Sequence, residues 1–330
     1  MKRSRIIVVS LAVVATIAAT VALAFAFTVA PAGAEAGGTE VVHGPQMKPR
    51  AATGQAVTNS NMTYHGGPIS TTSKVYIDYW GSQWASGFST GGYSSTQAKT
   101  YVQGFFGNVG GSSWHNIDTQ YCQGVAIGTT NCGASGTHIT NLTGRLAGTY
   151  VHNTSLPRRI TQNGIANEAV WAMNNAFGGY DANAIYLVFT PSGRSMSGFG
   201  TQWCAWHSNT SSTNGQVAYG YIPYMPDAGS SCGMNFVNGS NNSYGNGYFD
   251  GFSVVAGHEY MEAETDMTPG TSVAWQGPGG GSDENADKCA WNQNGGTSGN
   301  ISLADGHFYA VQPIWSNAST QSGSHCVMSY

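Results

Sequence analysis

Charge is what this sequence has least of. Only 12 Lys+Arg and 16 Asp+Glu occur among 330 residues, so 8% of the chain is charged, against about 25% in an ordinary soluble domain. The basic surface that a polyphosphate needs is missing, which excludes nucleic acid as a partner. The wealth of Glu and Lys that sustains a coiled coil is missing too. There is no C-x-x-C pair and no internal repeat. Bulk, by contrast, is plentiful: 17 Tyr, 12 Phe and 9 Trp supply large apolar side chains. With so little charge to keep the chain expanded, they exclude disorder. The rest is rich in Ser, Asn, Thr and 46 Gly, a composition suited to exported proteins that stay soluble through hydrogen-bonded loops.

Lys2, Arg3 and Arg5 precede an apolar run from Ile6 to Val29, and Ala32-Gly33-Ala34 supplies the small residues that signal peptidase accepts. Residues 1–34 therefore read as a signal peptide, with a secreted, extracellular chain starting at Glu35. The run exceeds the roughly 7 to 15 residues of a signal core, so an uncleaved anchor of about 20 residues is the rival reading. Ser10, Thr16 and Thr20 dilute it, and the small-residue site that follows favours cleavage. Loss of the three basic residues takes the formal charge from −4 to −7, which leaves no attraction to an anionic membrane. All six cysteines lie beyond the signal, and an even number in an exported chain points to disulfides. The short spacing of Cys122 and Cys132 favours sequential pairing, with Cys204 to Cys232 and Cys289 to Cys326 following. Zinc held by thiolates is the alternative, and an oxidising compartment argues against it.

Residues 35–63 show no periodicity and mix Pro, Gly and Thr, so they read as a linker or propeptide-like stretch, with order beginning near Tyr64. KVYIDYW at 74–80 alternates and is rich in strand formers, and Ser94 with Gln97 makes a capping box for a helix through Ala98, Val102 and Phe105. The pattern predicts a second helix over 160–177. It also predicts a strand covered on both faces at AIYLVFT, 184–190, and a strand over 217–221. Near the end, ISLA, Asp305-Gly306 and HFYAVQPIW predict a hairpin across a type I′ turn. With no internal linker, residues 64–330 are expected to form a single α+β domain with a mixed sheet and long Gly/Ser/Asn-rich loops, and the protein to be a monomer.

The scarce charge is unevenly spread. Seven of the 16 acids fall between Glu259 and Asp287, namely Glu259, Glu262, Glu264, Asp266, Asp283, Glu284 and Asp287, and the nearest Lys or Arg is Lys288. Such crowding is costly unless a cation or a proton relieves it. In DGFSVVAGHEYMEAETD, Asp250 is a candidate N-cap and Phe252, Val255 and Met261 are apolar helix positions. His258 and Glu262, four apart, lie on one helix face about 5 to 6 Å from each other, close enough to hold one metal ion, with Glu259 beside them. This is the arrangement of H-E-x-x-H zinc peptidases, and so of a zincin-like domain, in which the first Glu is the general base, except that Glu262 replaces the second His. A carboxylate ligand lowers the metal's Lewis acidity and admits harder ions, so Zn²⁺ is the expected ion and Ca²⁺ or Mn²⁺ the alternative. Glu284 or Asp287 in SDENADKC, or Asp266, would be the third ligand, with a Gly-rich loop and a Cys289 bridge fixing the segment over the helix.

Bland readings stand beside this one. H-E-x-x-E arises by chance in ordinary helices, and the acids would then be a solvated face. Gly87-Phe88-Ser89-Thr90-Gly91 matches the nucleophile-elbow pattern, but outside a strand-to-helix turn and against 46 Gly. His65 and His207 would be ligands or entry-loop residues, with an ordinary surface or core histidine the better default for each. Trp203, Trp206, Trp275, Trp291 and Trp315 would line a sugar or peptide groove, or, for most of them, simply pack the core. Asn141, Asn153 and Asn209 begin N-x-S/T sequons.

Several segments taken together carry a resemblance: Tyr64-His65-Gly66-Gly67-Pro68-Ile69, KVYIDYWGSQW, AIYLVFT, HEYMEAETD, ENADKC and FYAVQPIWSN. The chain resembles secreted bacterial proteins with an H-E-x-x-E-A-x-T-D motif, distantly similar to the plant EXORDIUM or phosphate-induced proteins. Over residues 64–330 this implies an extracellular protein with an unusual metal site at His258, Glu259 and Glu262, together with Asp266, Glu284 and Asp287. Here Met267-Thr268-Pro269 stands where a Pro directly after the Asp is the expected pattern. The function expected is a secreted metal-dependent hydrolase, most simply a peptidase, acting on extracellular polypeptide or cell-wall polysaccharide, with Glu259 activating water. Two alternatives stay open. One is a non-catalytic carbohydrate-binding protein with structural Ca²⁺, and the other a metal-free glycoside hydrolase using Glu259 and Glu284.

Overall fold

The computed structural model describes residues 46–50, 58–239, 246–281 and 283–330. The signal peptide expected over residues 1–34 and its cleavage site lie outside them. All the described residues belong to one compact unit, and none of the described helices is long and apolar enough to cross a membrane.

A six-stranded mixed sheet forms the middle layer. In chain order its strands are β1 (Gln46–Met47), β2 (Lys74–Trp80), β3 (Leu146–His152), β4 (Ala184–Phe189), β5 (Ala205–Ser212) and β6 (Gly215–Ile222). Across the sheet the order is β1-β5-β6-β4-β2-β3. β6, β4, β2 and β3 run parallel, while β5 is antiparallel to both neighbours. Helices α1 (Ser82–Ser86), α2 (Ser95–Asn108) and α3 (Gln162–Asn175) lie between the parallel strands in sequence. The chain is thus mixed α/β with helices on both faces of the sheet, rather than an α+β fold with segregated helices.

Local chemistry accounts for these elements. β4 is buried at every position, as a strand covered on both faces must be. The capping box forms: Ser94 Oγ accepts from Gln97 N at 3.3 Å, and Ser94 N donates to Gln97 Oε1 at 2.9 Å. Thr161 caps α3 through Gly164 N at 3.0 Å. Alternation in β2 sends Val75, Ile77 and Tyr79 toward α2, and Trp80 toward α3, where Ile165, Ala169 and Met173 pack.

The C-terminal half carries α4 (Asn246–Gly251), a π-helical turn (Phe252–Ala256) and α5 (Gly257–Thr265) in unbroken succession. Asp250 is therefore not an N-cap. It sits inside α4, and its carboxylate accepts from the backbone N–H groups of Val237 and Asn238. Of the stretch expected as a linker over 35–63, only residues 46–50 and 58–63 are among those described. Gln46–Met47 pairs with β5 as an edge strand, Met47 is buried in the core, and Thr58 and Met62 bond to Asp283 and Asn317. The final hairpin joins Gly299–Ser302 to Phe308–Val311, but its turn is not type I′, because Gly306 has positive φ and Asp305 does not. Beyond Pro313 the chain pairs anew, Ile314–Trp315 with Cys326–Val327.

Three disulfides follow the sequential pairing: Cys122–Cys132, Cys204–Cys232 and Cys289–Cys326. The last closes a loop with a sequence separation of 37, a constraint on the unfolded chain of roughly 4 kcal/mol. Replacing Cys289 and Cys326 together by Ala should lower the calorimetric Tm by about 10 °C; an unchanged Tm would show that the bridge constrains nothing.

Candidate metal centre

The π-helical turn leads directly into α5, from which Glu259 and Glu262 reach His207 of β5 while His258 reaches Gln312 and Asp287. π-turns of this kind are common beside functional groups. The opposite face of α5 is anchored by a buried network. Glu264 bonds to His115 Nε2 at 2.8 Å, to Tyr260 Oη at 2.7 Å and to Ser73 Oγ. Two carboxylates two residues apart therefore differ: both oxygens of Glu264 are partnered, whereas Glu262 keeps one oxygen, Oε2, without a hydrogen-bond partner.

Segment 283–287 folds back over α5, as the Gly-rich loop and the Cys289 bridge led us to expect. Gly277 N donates to Asp283 O at 2.8 Å, and Lys288 Nζ lies 2.8 Å from Asp283 Oδ1, turning the nearest basic side chain away from the centre. Asp287 N donates to Glu262 Oε1 at 2.8 Å. The structure thus gathers His258, Glu259, Glu262, Glu284 and Asp287, all fully buried. Asp266, the other expected ligand, follows the last residue of α5, and its Oδ2 has no hydrogen-bond partner. Its Oδ1 accepts from Ala274 N at 3.1 Å and from Thr268 N at 3.4 Å, and it belongs to neither of the donor sets described below.

The sixth member is His207, for which an ordinary histidine is the better default from sequence. It comes from β5, opposite Gly220 on β6. Its Nδ1 lies 3.1 Å from Glu259 Oε2 and 3.5 Å from Glu262 Oε2, and its Nε2 lies 3.5 Å from Glu284 Oε2. His258 Nε2 lies 3.0 Å from Glu262 Oε1 and 3.5 Å from Asp287 Oδ1. The atoms sort into two sets, His207, Glu262 and Glu284, and His258, Glu262 and Asp287. Within each set the donor atoms lie within 4.8 Å of one another. Ligands about 2.1 Å from a shared ion stand about 3 to 4 Å apart, so both sets fit a metal with slight contraction.

Hydrogen bonding fixes both rings. Gln312 Nε2 donates to the Ala286 carbonyl at 2.7 Å, which leaves Gln312 Oε1 as acceptor from His258 Nδ1 at 3.1 Å. His258 Nε2 therefore faces carboxylate oxygens with its lone pair, unless a proton or metal intervenes. Against an ionised Glu259, His207 Nδ1 is the donor, which leaves Nε2 free. His207 Nε2, His258 Nε2, Glu262 Oε2 and both carboxylate oxygens of Glu284 and Asp287 have no hydrogen-bond partner. Titration follows from this crowding. Burial, then the charge on His258, holds His207 down at about 3. Burial alone would lower His258, but the carboxylates around it, Glu262 first, hold it well above its ordinary value. Burial, then Asp287, pushes Glu262 up to about 7, while burial above all raises Glu259 and Glu284 strongly. Protons collect here because the site wants positive charge.

Other expectations are settled by burial. His65 is exposed beside Thr63, and Trp203, Trp206, Trp275 and Trp315 are fully buried, so they pack the core and line no groove. Across the sheet, sequence reasoning missed a second cluster, in which Asp78, His152 and Glu168 offer donor atoms within 4.8 Å of one another. Compared with family models, curated proteins and solved structures, the chain matches none of them.

In that second cluster, burial and then Glu168 push Asp78 up to about 9, and burial pushes Glu168 up to about 7. A carboxyl raised in the folded state binds its proton more tightly there than in the unfolded chain. Its contribution is full below about pH 4 and is lost as pH rises toward the folded values. Tm should therefore fall between pH 5 and 9, and Asp78→Asn, which cannot ionise, should make that fall shallower. Parallel pH curves for the two proteins would refute the assignment.

Proposed function

We propose that the protein is a secreted metal-dependent hydrolase, most simply a peptidase, in the zincin-like sense that one helix, α5, brings His258, Glu259 and Glu262 together. One observation carries this reading: two buried imidazole nitrogens without a hydrogen-bond partner face carboxylate oxygens, with a further carboxylate, Glu259, alongside. Imidazole donors favour Zn²⁺ or a neighbouring first-row ion over Ca²⁺. Such an ion, once bound, would polarise a substrate carbonyl and acidify water. The chain's own residues would do the rest. Glu259 takes the proton of the attacking water and delivers it to the leaving amine, and His207, through Nδ1–H on Glu259 Oε2, holds that carboxylate in register. The main-chain N–H of Met47, on the edge strand beside the centre, donates to the other oxygen, Glu259 Oε1, at 3.3 Å.

The complete burial of all six groups favours a second reading, a structural cation in a non-catalytic extracellular protein, since structural sites are closed and catalytic ones keep an open position. Glu259→Gln separates the two. In a peptide-hydrolysis screen the hydrolase reading expects turnover by the natural sequence, a loss of about 10² to 10⁴ in the variant, and metal content retained. A variant as active as the natural sequence contradicts the role of Glu259. No turnover by either protein, with Tm falling on chelation, supports the structural cation. Polysaccharide hydrolysis that survives chelation would point to a glycosidase.

A further inference from the structure

The two donor sets share only Glu262, and each has its own histidine, its own second carboxylate and its own unpartnered atoms. His258 Nε2 lies 3.0 Å from Glu262 Oε1 and 3.5 Å from Asp287 Oδ1, whereas His207 Nε2 lies 3.5 Å from Glu284 Oε2. No single set contains both rings. One ion would therefore satisfy one histidine and leave the other facing a bare carboxylate. Charge points the same way. Glu259, Glu262, Glu284 and Asp287 are fully buried around the two rings, and Lys288 is engaged with Asp283. A single divalent cation leaves half of that negative charge uncompensated in a medium where it is expensive, and two neutralise it.

Building on the metal-site reading above, we infer that the centre holds two divalent first-row transition-metal ions bridged by the Glu262 carboxylate. Glu262 Oε1 lies 3.0 Å from His258 Nε2, and its unpartnered Oε2 lies 3.5 Å from the His207 ring, so the one carboxylate would serve both ions. Pairs of this kind stand about 3.5 to 4 Å apart, within the span of one bridging carboxylate. His207 gains its place in the same arrangement: Glu259 accepts from its Nδ1 and presents Nε2 as the donor, the carboxylate–histidine support that orients metal-bound imidazoles. Gln312 does the same for His258.

Metal content decides the matter, measured after reconstitution with Zn²⁺ and desalting, in an Asp78→Asn background so that the cluster across the sheet contributes nothing. Two equivalents are expected, falling to one in His207→Gln and to one in His258→Gln. With Mn²⁺ in the same background and no further substitution, electron paramagnetic resonance should show a spin-coupled pair. One equivalent that both histidine variants abolish, or an uncoupled Mn²⁺ signal, overturns the two-ion centre while leaving a single metal site standing. No bound metal at all overturns the metal reading itself.

Discussion

Buried negative charge without a matching cation is the constraint on which the rest of this molecule turns. In a sequence that spends charge so sparingly, four carboxylates converge with two imidazoles in one fully buried volume. An unpaired buried carboxylate is tolerated only when a proton, a cation or several hydrogen bonds attend it. Glu264 and Asp283 show how the chain treats such a group when its role is structural: the first has His115, Tyr260 and Ser73, the second has Lys288 and Thr58. Glu284 and Asp287, a few residues from Asp283, have open oxygens on both sides. Within one short stretch, then, one carboxylate is fully partnered and two are not.

The frame exists to hold those groups against their mutual repulsion. β5 is pinned by seven register pairs with β6 and by the Cys204–Cys232 bridge, which places His207 opposite α5. α5 is pinned on its far side by the Glu264 network, and the 283–289 segment by the loop at Gly277 and the Cys289–Cys326 bridge. The edge strand at Gln46–Met47 then covers the centre, with the Met47 side chain in the core and its main-chain N–H on Glu259. A segment with no periodic signal thereby becomes part of the wall around the buried acids.

Sequence reasoning reached much of this, and where it stopped has physical causes. Elements with a strong local signal were legible: the alternating strand at 74–80, the capping box at Ser94 and Gln97, the wholly apolar run at 184–189, and the acidic segments at 258–262 and 284–287. β3 was invisible because it is an edge strand exposed along much of its length, so LAGTYVH carries no alternation. β5 was invisible because AWHSNTSS is polar and owes its conformation to pairing with β6 and to the disulfide, both long-range. With β5 went His207, since nothing in the sequence around position 207 marks a ligand. Only the folded sheet brings it within 3.1 Å of Glu259. The Asp250 cap failed for a related reason: a π-helical turn let three helical segments run together, so the helix began before the residue that local rules chose.

The most direct test of the central constraint is calorimetric. Protein stripped with a chelator and titrated with free Zn²⁺ should gain stability with every decade of metal above its dissociation constant, about 1.4 kcal/mol per decade for each ion bound to the folded state alone. Ca²⁺ should produce a weaker effect, as its poor affinity for imidazole dictates. A Tm that stays fixed across the whole titration with either ion would contradict the account, because it would mean that protons alone settle the charge at the heart of the fold.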